Sequence, residues 1–259
     1  MDCYVVKANE LIQKSRFNLS VQQQKIVLYL ISKVSQFDDD FKLYEFSIVD
    51  FCRIAGIENV SGRSYLEVKD AIKEIADKSL WIRLENGQET LLRWIEKPYI
   101  DEKNGTIQIK LDKDMKPYLL QLKANFTKYE MLWTMNFKSK YSIRLYELMK
   151  SVHYRPIKPF TVDYKLDELR KMLGAENYKT YQEFKVRVLE AAINEINASS
   201  DIVLHYEPIK KSRSVYRIQI TVKSKEQMEV LEARADIERR FGLDQLSLWT
   251  SGKEWTTPK

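Results

Sequence analysis

The sequence predicts an α+β chain of two tandem winged-helix domains, each a helix-turn-helix followed by a β-hairpin. Three observations lead there. A pattern of helix, short helix, longer helix and hairpin runs twice along the chain, and a glycine ends the short helix in both runs. An internal match, Ala71-Ile72-Lys73-Glu74-Ile75 against Ala192-Ile193-Asn194-Glu195-Ile196, falls at a spacing of ~120 residues, far above the 20–50 of solenoid repeats. Each copy is therefore long enough to close its own core.

In the first copy, Gln22–Lys33 carries Ile26, Leu28, Tyr29, Leu30 and Ile31 in helical order. Ser47–Ala55 reads as a short helix ended by Gly56. Ser64–Lys78 places Leu66, Val68, Ile72 and Ile75 at three- and four-residue steps, the signature of one buried face. Strand-like runs follow at Leu80–Leu84, Thr90–Ile95 and Thr106–Leu111; in the last, Ile107, Ile109 and Leu111 alternate with polar residues. A helix is expected over Asp112–Gln121, and a boundary near Asn125–Tyr129 divides the chain into domains 1–125 and 126–259.

The second copy restarts the order. Tyr141–Val152 is helical, Leu166–Leu173 is a short helix ended by Gly174, and Phe184–Asn197 is a longer helix. Ile202–Tyr206 and Val215–Val222 form the hairpin, with Tyr216, Ile218, Ile220 and Val222 alternating with Arg217, Gln219 and Thr221. An amphipathic helix over Ser224–Phe241 closes the copy. The pattern fades after Gly242, and Thr250–Lys259 reads as a tail.

Composition excludes several classes. Apolar residues make up 44% of the 259, enough for real cores, while seven glycines leave little material for a phosphate loop, and no G-x-x-x-x-G-K-[ST] occurs. No run approaches the ~20 apolar residues of a membrane helix, and no apolar segment follows a basic start, so a cytoplasmic protein without membrane contact is expected. Cys3 and Cys52 cannot build a disulfide framework or a four-ligand zinc site, and Cys52 fits the apolar face of Ile48, Phe51 and Ile54. The two histidines, His153 and His205, lie in different elements, and no His-x-His supplies the metal of a DNA nickase. Asp38-Asp39-Asp40 reads as a solvated turn. No catalysis and no cofactor are expected.

The basic residues are more informative. The formal charge is +6, and Ile209–Lys225 holds six cations (Lys210, Lys211, Arg213, Arg217, Lys223, Lys225) and no acid. Concentrated positive charge suits a polyphosphate partner, here double-stranded DNA. On the Phe184–Asn197 helix, Val188, Leu189, Ala192, Ile193 and Ile196 face a core, leaving Glu183, Arg187, Glu190 and Asn194 outside. Arg187 and Asn194 are side chains suited to guanine and adenine edges, although the two glutamates would repel phosphate. Lys179, Thr180 and Lys185 stand near the helix start, where phosphates dock. Lys210, Lys211 and Arg213 form an acid-free hairpin tip aimed at backbone. The first copy exposes Glu67, Lys69, Asp70, Lys73, Glu74 and Asp77, nearly balanced in sign, which suits protein contact better than DNA. Trp81 and Trp94 are candidates there for a core or an interface.

Several strings resemble the plasmid replication initiators that bind iterons. They are Phe184-Lys185-Val186-Arg187-Val188-Leu189-Glu190-Ala191-Ala192-Ile193-Asn194-Glu195-Ile196-Asn197, Lys138-Ser139-Lys140-Tyr141-Ser142-Ile143-Arg144-Leu145-Tyr146-Glu147-Leu148, Phe126-Thr127, Lys210-Lys211-Ser212-Arg213 and Val6-Lys7-Ala8-Asn9-Glu10-Leu11. The resemblance spans about Val6 to Val222. It implies binding to directly repeated origin sites as a monomer, melting of an adjacent AT-rich segment and recruitment of host replication proteins. It also implies a homodimer, formed mainly through the first domain, that represses its own promoter, and tighter DNA contact by the second domain. A dimeric winged-helix transcription regulator is the alternative, but two unequal copies in one chain favour direct repeats over palindromes.

Overall fold

The computed structural model describes residues 3–35, 37–54, 61–153 and 158–241. Its first half runs β1 (Tyr4–Ala8), α1 (Asn9–Lys14), β2 (Ser15–Arg16), α2 (Val21–Ser32), β3 (Tyr44–Ser47), α3 (Ile48–Ile54), α4 (Gly62–Asp77), β4 (Ser79–Arg83), β5 (Glu89–Arg93), β6 (Tyr99–Asp101), β7 (Thr106–Ile109) and α5 (Lys116–Leu119). The second half runs β8 (Phe126–Glu130), α6 (Met131–Asn136), α7 (Lys140–Val152), β9 (Phe160–Lys165), α8 (Leu166–Leu173), α9 (Tyr181–Phe184), α10 (Ala191–Ser199), β10 (Ile202–Lys211), β11 (Ser214–Ser224) and α11 (Gln227–Phe241). The expected helix–short helix–long helix–hairpin order is present twice, as α2–α3–α4–β4–β5 and α7–α8–α9/α10–β10–β11. The expected Gly56 cap and the tail from residue 242 lie outside the described residues.

The repeat is longer than its sequence signal. Each copy also opens with a strand and a short helix (β1–α1 and β8–α6), and each has a strand before its second helix (β3 and β9). The two opening strands pair with one another, antiparallel, from Tyr4 opposite Glu130 to Ala8 opposite Phe126. The boundary expected near Asn125–Tyr129 thus falls at the start of a strand bonded to the chain's first one. β9 adds to the second wing, giving the order β10-β11-β9, while β2 joins the first wing as β2-β4-β5.

Local chemistry explains these elements. Ser20 caps α2 in a reciprocal capping box with Gln23. The strand alternation buries Leu80 and Ile82 of β4 and leaves Trp81, opposite Leu91, outside. Trp94 shares the parity of Leu92 and turns inward; it is 1% exposed and meets the Phe17 ring edge-on at 4.9 Å. Of the two candidate tryptophans, Trp94 is core and Trp81 is surface. The helix expected over Asp112–Gln121 is instead a 3₁₀ turn (Lys113–Met115) and the single turn α5. Asp112 caps the first, and α5 ends at once because Leu120 is already extended (φ −112°, ψ 147°), with Gln121 following at a positive φ of 52°.

The halves are welded through α7. Buried Arg144 donates to the Ile12 and Ser15 carbonyls from Nη2 at 3.3 Å and to the Met172 carbonyl at 3.1 Å, and lies 4.3 Å from the Phe17 ring centroid. Gly174, at φ 63°, ends α8 in the left-handed region, and a Cβ there would stand 2.9 Å from the Phe17 carbonyl oxygen. Gly174→Ala is therefore expected to cost about 1–3 kcal/mol, read as a lower urea midpoint of the full chain. An unchanged midpoint would show that the Phe17 segment gives way freely.

Candidate nucleic-acid interface

Between α8 and α9 the chain makes the turn of a helix-turn-helix. The Gly174 N–H donates to the Lys171 carbonyl at 3.2 Å and the Ala175 N–H to the Arg170 carbonyl at 2.8 Å, closing α8. Arg170 holds the far side of the turn. It pairs with Asp167 at 3.1 Å, donates to the Lys179 carbonyl at 3.3 Å and lies 5.5 Å from the Phe184 ring centroid. Lys179 itself is exposed.

Thr180 caps the next helix. Its hydroxyl accepts from the Glu183 N–H and its own N–H donates to the Glu183 carboxylate, both at 3.2 Å, the reciprocal pattern of a capping box, and the hydroxyl also donates to that carboxylate at 2.8 Å. The Thr180 hydroxyl is thus engaged within the protein. These hydrogen bonds, with a smaller contribution from the Arg187 charge, hold the Glu183 carboxyl below its usual range.

The longer helix starts earlier than its apolar pattern suggests and is not uniform. α9 and α10 are joined by a π-helical turn, Lys185–Glu190. The inward set is as expected: Phe184, Val188, Leu189, Ala192, Ile193 and Ile196 are buried, while Arg187 and Asn194 are exposed. Lys185 is half-buried against Glu190, 3.4 Å away. Glu190 also accepts from the Tyr206 hydroxyl at 3.0 Å. Both acids that weighed against a phosphate-facing helix are engaged by partners within the protein.

The wing continues this surface. β10 and β11 pair antiparallel from Ile202 opposite Ser224 to Lys211 opposite Ser214, with a bulge between Ile209 and Lys210. The bulge raises local twist just below the tip, and Ser212 makes the turn at φ 57°. Lys210, Lys211 and Arg213 are all exposed, and among the described residues none of the three enters an ion pair. Lys211 Nζ lies 5.8 Å from the Tyr216 ring centroid, and charge that no acid neutralises is available to phosphate.

The first copy pairs most of the cations on its corresponding helix, while Arg83 and Arg93 on its wing are exposed with no ion pair among the described residues. Along α4, Arg63 pairs with Glu67 at 3.0 Å, Lys69 with Glu102, and Lys78 with Glu74 at 2.9 Å. On its wing Arg16 faces Glu89 at 3.6 Å. Its wing also exposes an apolar pair, Trp81 (52%) and Leu91 (51%), more fully than the second wing exposes Ile209 (38%) and Tyr216 (43%). Of the nearly balanced charges seen in sequence, Glu67, Lys69 and Glu74 are held in ion pairs.

His153 is buried, its Nε2 3.3 Å from the Lys158 carbonyl, and burial lowers its pKa; His205 is exposed on the wing stem beside Glu207 at 3.7 Å. Among the described residues no three His, Cys, Asp or Glu side chains come together as a metal site, and no helix is long and apolar enough to cross a membrane. Cys52 is buried, where burial raises its thiol pKa. Sequence reasoning missed the Glu183 half of the cap, although Thr-x-x-Glu at 180–183 signals it. Nothing in the sequence signalled the π turn.

Comparison with known proteins agrees with this architecture. A curated replication initiation protein of Escherichia coli is 26% identical over 233 residues, covering 88% of this chain and 72% of that protein. The crystal structure of the Pi initiator protein in complex with iteron DNA shares the fold, with a TM-score of 0.73 at 19% identity over 87% of this chain and 99% of that one. The family described as initiator replication protein, first winged helix, matches residues 4–150, and its second winged-helix unit matches residues 165–222. The chain belongs to the initiator replication protein family and carries both of its winged-helix domains in order.

Proposed function

We propose that this chain binds directly repeated origin DNA (iterons) and that its second winged helix makes the principal contact. The observation that carries the reading is the division of charge: unpaired cations gather on the second copy's helix-turn-helix and wing, while those of the first copy's α4 are largely paired to acids. Arg187 and Asn194 read base edges in the major groove, and Lys179, Lys210, Lys211 and Arg213 hold phosphates. Thr180 acts by ordering the helix start, and Lys185 acts from its pair with Glu190. That the similar Pi initiator is solved on iteron DNA supports this. The chain acts as a binding protein, without catalysis, that promotes melting of an adjacent AT-rich tract and recruits host replication proteins.

A homodimer formed through the first half, with the exposed Trp81–Leu91 pair in its interface, would let the same chain repress its own promoter. The experiment is to select duplexes from a random library with the full chain and to titrate the selected site as tandem repeats and as an inverted pair. Preference for direct repeats, with permanganate-reactive thymines beside them on supercoiled DNA, fits an initiator. Preference for the inverted pair would instead fit the transcription regulator. A nick or a protein–DNA covalent bond with Mg²⁺ would overturn the binding-only reading.

A further inference from the structure

The wide turn in the recognition helix has work that simple DNA contact does not account for. From Lys185 to Glu190 the backbone is π-helical. Such turns are rare, occur singly within α-helices and recur at functional sites. Side chains five apart stand about 140° apart around an α-helix, too far round to meet. The i→i+5 hydrogen bonding of a π turn brings them above one another instead, and Lys185 Nζ lies 3.4 Å from Glu190 Oε1. The same oxygen accepts from Tyr206, 3.0 Å away on β10, the stem of the basic wing. Glu190 therefore joins three parts: the helix start, the helix centre and the wing.

A carboxylate on a DNA-facing helix opposes binding, and both members of this pair stay about one-third exposed (34% and 37%). We propose that Glu190 is the positioning residue that sets discrimination between origin and random DNA, by holding Lys185 within the π turn and tying the helix to the wing. The inference rests on the DNA-contact reading above. Its physics is a difference between two kinds of binding. Non-specific affinity comes almost wholly from cations on phosphates, whereas specific affinity adds base contacts. Neutralising Lys185 within the protein weakens the first more than the second. The tether to Tyr206 keeps Arg187 and the wing in a fixed relation, so base and phosphate contacts form together.

The test uses the full chain, titrated against its library-selected duplex and a scrambled duplex at several salt concentrations. Glu190→Gln retains an acceptor for Tyr206 but releases the Lys185 charge. Scrambled DNA should then bind about tenfold tighter, with a log–log salt slope steeper by about one unit, and the specific-to-scrambled ratio should fall by a similar factor. Adding Lys185→Met to Glu190→Gln should return the scrambled affinity and slope to near their original values, a rescue that a merely structural role for Glu190 could not give. Unchanged slope and ratio in Glu190→Gln would overturn the inference. So would equal weakening on both duplexes with a lower thermal midpoint, or a double variant that behaves as the single one does. A parent chain that does not prefer its selected duplex at all would remove the DNA-contact reading itself, a separate and visible failure.

Discussion

Replacing Glu147 with alanine is expected to destabilise the chain by about 3–5 kcal/mol, the usual cost of leaving a buried charge without its partner. Glu147 sits on α7 and is almost wholly buried. Its Oε1 accepts from Lys7 Nζ at 2.6 Å and from the Tyr129 hydroxyl at 2.5 Å, while Arg144 lies 3.9 Å from Oε2. Lys7 is on β1, Tyr129 on β8 and Arg144 on α7, so one carboxylate neutralises the seam between the halves. Burial pushes the Lys7 pKa down although Glu147 pulls it up, and it pushes the Tyr129 hydroxyl well up. Without Glu147, two buried cations face each other with no anion between them. Urea unfolding of the full chain measures the loss, and amide exchange at Val5, Val6 and Lys7 should quicken, because β1 is held to β8 beside this charge. Lys7→Met with Glu147→Gln should recover most of the stability, since replacing both charges by neutral groups of similar size is often nearly neutral. A Glu147→Ala chain within about 1 kcal/mol of the parent would mean that water reaches the seam and solvates the remaining cations.

How much of this was legible in the sequence depended on the range of the forces involved. α4, α8 and β11 could be placed from spacing alone, because a face buried against a core writes its own period into the chain. Gly174 marked the end of α8 because few other residues accept its φ. The β1–β8 pair was invisible: its strands are five residues long and their partners lie more than a hundred positions apart. Nothing in the sequence pairs Lys7 with Glu147, which lie 140 positions apart. Trp94 could have been placed by parity with Leu92 in the expected Thr90–Ile95 strand, but the neighbouring apolar Ile95, also buried, breaks the alternation there.

Within the site, outward positions were read correctly where one face is buried, as at Arg187 and Asn194. What the sequence did not show was pairing. Thr180 and Lys185 were read as phosphate-docking groups at the helix start, and in the structure one is bound in a cap and the other in an ion pair. Glu183 and Glu190 counted as obstacles, yet both are engaged by those same residues. Net charge along a segment is thus a poor guide to charge available to a ligand, and the two copies make the contrast within one chain.

That contrast yields the largest expected effect on binding. Lys210, Lys211 and Arg213 are exposed and in no ion pair among the described residues, at the tip of a bulged hairpin. If each neutralises one phosphate, changing all three to alanine should lower the log–log salt slope by roughly three units, on selected and scrambled duplexes alike. A slope difference of about three alone corresponds to nearly two orders of magnitude in affinity between 50 and 200 mM salt. Arg187→Ala should behave differently. A base contact made by one arginine is worth about 1–3 kcal/mol of discrimination, so the selected duplex should weaken roughly 5- to 150-fold while the scrambled duplex changes little. Because the two sets of residues sit on separate elements, their effects on the selected duplex should add within about 0.5 kcal/mol. Equal weakening of both duplexes by Arg187→Ala would make that residue a phosphate contact and move base reading to another part of the helix. A wing variant that binds with the parent's slope would show that the tip stays in solvent, and the charge division between the two copies would then have to act through the start of α9.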